Sequence, residues 1–81
     1  MKATITQLKK KINSYADHSG FAFDKKAPYY VNAERIKAIK EGILFVKEDG
    51  EQKPSRRYEI SEKQMVSLNN WVRSLEEKYL R

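Results

Sequence analysis

At 81 residues the chain is sized for one small domain that buries about 60 percent of its unfolded surface, which leaves little room for an enclosed catalytic cavity. It contains no cysteine and a single histidine, His18, which excludes a disulfide framework, a thiolate zinc site and a cysteine nucleophile. Lysine and arginine number 17 against 11 acidic residues, a formal net charge of +6.

That charge is unevenly placed. Residues 1 to 40 hold nine basic side chains and three acidic ones, whereas 41 to 81 hold eight of each, so the whole excess sits in the first half. Such a field suits a polyanion, and it equally serves to keep a small protein in solution. The opening Met1 to Gln7 lacks the apolar core of a signal peptide, and no run approaches the length of a bilayer span, so a cytoplasmic protein away from membranes is expected.

The first helix is predicted from Thr4 to Asp17, where Ile5, Leu8, Ile12 and Tyr15 form one apolar stripe and Lys9, Lys10 and Lys11 cover the other faces. Asp17 to Gly20 read as terminators, with Gly20 suited to the left-handed position that closes a helix. Asp17, His18 and Ser19 are the residue types of a hydrolytic triad, but consecutive residues cannot converge on one substrate atom. Residues 21 to 31 are open between a short extra hairpin and a loop pinned by aromatics. Phe21 and Phe23 alternate with Ala22 and Asp24, Lys25 to Pro28 resemble a turn, and Tyr29 to Val31 are β-prone. Two or three of these rings are needed for the core, and the rest, beside Lys25 and Lys26, have the chemistry to stack on bases or meet phosphates.

Asn32 is placed as the cap of a second, basic helix carrying Arg35, Lys37 and Lys40, ended by Gly42. Ile43 to Val46 then form a β-prone run, Asp49-Gly50 opens a turn-rich tip, and Arg57 to Ile60 alternate as a return strand. Ser61-Glu62-Lys63-Gln64 is a capping box opening a third helix, from Glu62 to Leu80, striped by Met65, Leu68, Val72, Leu75 and Tyr79 and widened by Trp71. The stripe is long enough either to cover the rest of one subunit or to pair with a second copy as a homodimer. The fold class expected is therefore α+β, a single domain over 1–81 in the order α-α-β-β-α, with 21–31 as the site of any extra hairpin.

The segment Ile36 to Leu44, followed by Arg56-Arg57-Tyr58-Glu59-Ile60-Ser61, resembles the excisionase and MerR-type winged helix-turn-helix proteins. That resemblance covers about half the chain, residues 32–71. It implies a DNA-binding accessory or regulatory protein of the kind mobile elements and phages encode. Carried over by position, Arg35, Lys37 and Lys40 face the major groove or its phosphates, and Lys47, Lys53, Arg56 and Arg57 lie on the wing. With Lys9, Lys10, Lys25 and Lys26 from the basic first half, these form the expected DNA-binding set. Glu48, Asp49 and Glu51 give the predicted tip an acidic character that opposes phosphate. They motivate the other expectation, a small protein-binding inhibitor or adaptor, for example of a host defence complex; RNA binding through Phe23, Tyr29 and Tyr30 is a third. No residue pattern calls for catalysis, a metal or a cofactor, and no enzyme is expected.

Overall fold

Gly42 is where the architecture of this chain is decided, because it lies inside a helix and not at the end of one. The computed structural model describes residues 3–52 and 60–80, with side chains described for 3–47 and 60–80, and contains three helices. α1 spans Ile5–Asp17, α2 spans Tyr29–Gln52 and α3 spans Glu62–Tyr79. No strand occurs among the described residues, so the α+β, winged-helix expectation is overturned in favour of an all-helical packing.

The β-prone run Ile43 to Val46 and the Asp49-Gly50 pair all continue α2. Their intrinsic preference is overridden by tertiary burial: Asn32, Ile36, Ile39, Ile43 and Val46 recur at four and three, and all five are buried. A strand would turn alternate members of that set into solvent. Residues 57 to 59 of the predicted return strand lie outside the described residues. The stretch 21–31 is also not a hairpin, since 21 to 28 form an irregular loop and α2 already begins at Tyr29. Asn32 is accordingly a second-turn residue and not a cap.

At Gly42 the surface of α1 comes as close as backbone allows. A Cβ built there would stand 3.2 Å from Ile12 Cγ2, 3.2 Å from the Ile12 carbonyl oxygen and 3.2 Å from Tyr15 Cδ1. Ile12, Ile39 and Val46 have no exposed surface, and with Leu8 and Leu68 they make the centre of the core. Each contributes about 1.5–3 kcal/mol by burial. Tyr15 stacks on Phe45 with centroids 4.8 Å apart, closing the far side of the same crossing.

The other two helices begin and end as their sequences indicate. Thr4 accepts from the Gln7 amide while Gln7 Oε1 accepts from the Thr4 amide, and Ser61 and Gln64 repeat this box at α3. Gln64 also donates through Nε2 to the Ala3 carbonyl at 2.6 Å, tying the start of α3 to the segment before α1. Gly20 has φ +80, the left-handed backbone expected after α1. The α3 stripe is used within the chain: Leu68 and Val72 are buried, Met65, Trp71 and Leu75 pack on the core, and Tyr79 stacks on Phe23 at 4.3 Å.

Gly42→Val is expected to lower the melting temperature by about 8–16 °C, since overpacking against a backbone carbonyl costs ~2 kcal/mol and each kilocalorie moves so small a domain by roughly 4–8 °C. Calorimetry or a thermal circular-dichroism melt reads the change, and an unshifted midpoint shows that the crossing opens freely.

Candidate nucleic-acid interface

α2 presents two unlike faces. Its inner face carries the buried stripe together with two polar residues, Asn32 and Arg35, at 2 and 7 percent exposure. Its outer face repeats Tyr30, Ala33, Lys37, Lys40, Leu44 and Lys47 at three and four, and all but the half-buried Ala33 are exposed. From Lys37 to Lys47 this stripe runs about 15 Å, so three ammonium groups stand in a line along one edge of the molecule.

Arg35 does not belong to that line. Its Nη1 lies 2.8 Å from Asp17 Oδ1 and donates to the Phe21 carbonyl at 3.2 Å, while Nη2 donates to Asn13 Oδ1 at 3.2 Å. The guanidinium thus fastens α2 to the end of α1 and to the loop after it, and it is 6.0 Å from the Phe23 ring. Because the Asp17 side chain is 70 percent exposed, the ion pair itself contributes under about 1 kcal/mol, and most of the effect comes from the fixed hydrogen bonds. Asn32 works beside it. Its Oδ1 accepts from the Asp24 amide at 3.0 Å and its Nδ2 donates to the Asp24 carbonyl at 3.0 Å, so one side chain satisfies both backbone groups of a loop residue. The same Nδ2 is 3.4 Å from the Tyr79 carbonyl at the end of α3.

The remaining predicted cations are distributed as follows. Lys37 is exposed, and Lys40 is exposed with its ammonium 3.8 Å from Glu76 Oε2, a surface pair that leaves it able to exchange partners. Lys25 and Lys26 are exposed in the loop that leads into α2, where the Lys26 amide donates to Asp24 Oδ1. Lys10 is exposed on α1. Lys9 is half-buried and sits over the Trp71 ring at 5.5 Å, on the seam between α1 and α3 and apart from the α2 line. Lys53, Arg56 and Arg57 lie outside the described residues. The structure therefore brings together Lys37, Lys40 and Lys47, with Lys25 and Lys26 at the same helix's start.

The residues of the triad pattern have separate local partners. Asp17 faces Arg35, His18 Nδ1 is 3.0 Å from the Ser14 carbonyl, and Ser19 Oγ donates to the Ala16 carbonyl and accepts from the Phe21 amide. All three serve the end of α1. Among the described residues no group of three or more His, Cys, Asp and Glu is placed to hold a metal ion, and no helix is long and apolar enough to cross a membrane.

A second surface feature is a groove of about 380 Å³ between α2 and α3, floored by Ile43, Leu44, Met65 and Val72 and edged by Lys40, Arg73 and Glu76. Leu44 and Val66 nearby are each 58 percent exposed. Compared with protein-family models, curated proteins and solved structures, the chain matches none.

Arg35→Lys is expected to lower unfolding free energy by about 1–3 kcal/mol, because a single ammonium cannot reach Asp17, Asn13 and the Phe21 carbonyl together. Lys37→Ala, on the open face, is expected to stay within about 0.5 kcal/mol of the parent chain. Urea titrations of the two variants test the division, and equal losses would remove the structural role assigned to Arg35.

Proposed function

We propose that this chain is a small DNA-binding accessory or regulatory protein that takes duplex DNA along the outer face of α2. The observation that supports this reading is the line of Lys37, Lys40 and Lys47, exposed along the flank of the helix beside the face that supplies the core. A rigid helix with cations one to two turns apart offers phosphate contacts, and among the described residues the weak Lys40–Glu76 pair is the ion pair that must be exchanged to make them. The helix acts without a wing. Its grip on the core through Asn32, Arg35 and Gly42 keeps the lysines in fixed register, which is what a groove-binding helix requires.

Phosphate contacts release counterions, so affinity measured by fluorescence anisotropy on a labelled random duplex is expected to fall steeply with salt. The Lys37→Glu, Lys40→Glu variant is expected to reduce the slope of log affinity against log salt by about 2 and to weaken binding at every salt concentration. Wild-type binding indifferent to salt and to both reversals would sink the proposal.

A protein-binding adaptor or inhibitor is the second reading, supported by the α2–α3 groove and by the exposed Leu44 that lines it. It locates the active surface on apolar area, so Leu44→Asn, which adds no charge to the lysine line, would weaken partner capture while leaving salt-dependent DNA binding in place.

A further inference from the structure

Two adjacent rings at the start of α2 have no place in the core. Tyr29 is 62 percent exposed and Tyr30 is 61 percent exposed, in a chain that buries or half-buries its other aromatic residues except Phe45 among those whose side chains are described. Phe45 has its stacking partner in Tyr15. Phe23, the third ring of the same segment, is committed to Tyr79. Single exposed apolar residues are ordinary, but here two neighbours form a patch. The Tyr30 ring meets Phe21 edge to face at 6.4 Å, a contact that holds the ring while leaving most of it in solvent.

The charges around the patch are mostly positive. Lys25 and Lys26 are exposed three to five residues before the tyrosines, and Lys37 follows Tyr30 two turns along the same face. The acidic groups nearby are Asp24, whose Oδ1 accepts the Lys26 amide, and Glu34, one turn after Tyr30. The tyrosine amides open the helix, where N–H groups lack intrahelical acceptors and the dipole favours an anion, and Pro28 before them has no side chain able to cap. The Tyr30 ring held by Phe21 and the exposed Tyr29 next to it, together with ammonium groups and a positive helix end, match an unpaired nucleotide, with its base on a ring and its phosphate beside the lysines. A purely anionic protein segment would use the charges and leave the rings without a partner.

We propose that Tyr29 and Tyr30 form a stacking platform for an unpaired base, so that the DNA this protein prefers is a duplex ending in, or interrupted by, a single-stranded stretch. This rests on the reading of α2 as a duplex-binding helix: Lys37, Lys40 and Lys47 run along the paired region, and the tyrosines take the first unpaired base at its end. The arrangement discriminates structure and not sequence, because every base has a face to stack.

Anisotropy titrations of the full chain with a blunt duplex and with the same duplex carrying an overhang of a few nucleotides test this directly. The overhang substrate is expected to bind about tenfold tighter. The Tyr29→Leu, Tyr30→Leu variant keeps apolar bulk against Phe21 but has no ring, and is expected to lose that preference while holding blunt-duplex affinity within about twofold. Tyr29→Phe, Tyr30→Phe keeps both rings and is expected to retain it, and Glu34→Gln is expected to strengthen binding to the overhang. Equal affinity for the two substrates, or an undiminished preference in the leucine variant, overturns the platform while leaving duplex binding intact. Absence of binding to either substrate at low salt overturns both.

Discussion

The structure depends on how closely α1 can approach α2, and that is set by a missing side chain. Three atoms of α1, two from Ile12 and one from Tyr15, stand 3.2 Å from where a Cβ at position 42 would be, closer than ordinary van der Waals contact. Everything else follows from that approach. Leu8, Ile12, Ile39 and Val46 are fully buried in one core, α2 runs through the crossing, and at its start Asn32 meets both the loop at Asp24 and the end of α3 at Tyr79. A helix interrupted at this point would have no long outer face to present.

The inner and outer faces of α2 then divide between holding and presenting. Asn32 and Arg35 are polar residues in core positions, and both are matched to backbone carbonyls or amides of the loop from 21 to 24. Apart from Arg35 Nε, which is buried without a partner, their polar groups are satisfied in this way and define the geometry, since another docking of the loop would break these bonds. Because the loop is pinned, the start of α2 and its two tyrosines are pinned with it. The lysines on the neighbouring flank are held by the helix alone, and among the described residues Lys40 has Glu76 within 4 Å.

How far the fold could be read from the residues differs sharply along the chain. α1 and α3 were legible because their signals are local: a capping box or a stop glycine within a few residues, and a stripe of period 3.6 between them. α2 was not, because Gly42, the β-branched and aromatic run after it, and Asp49-Gly50 each carry a strong local meaning that tertiary burial overrides. The signal that outweighs them spans 15 residues, Asn32-Ile36-Ile39-Ile43-Val46, and it passes through the supposed break without a change of phase. Position 28 held a second clue, since proline favours the first turn of a helix and precedes Tyr29 directly. Among the site residues, Lys37, Lys40, Lys25 and Lys26 were legible as surface cations. Arg35 was not, because nothing in its own neighbourhood reveals that Asn13, Asp17 and the Phe21 carbonyl will converge on it from another helix and its loop.

The placement of Trp71 has a further consequence. It is the only tryptophan in the chain, it packs against the core from α3, and the Lys9 ammonium of α1 lies 5.5 Å from its ring. Among the described residues α1 and α3 share the slimmest seam of the three helices. The molecule thus carries a built-in optical gauge at that seam. Its indole emission reports the opening of the helical bundle from within, without a label, and from a position clear of the lysines and tyrosines on α2.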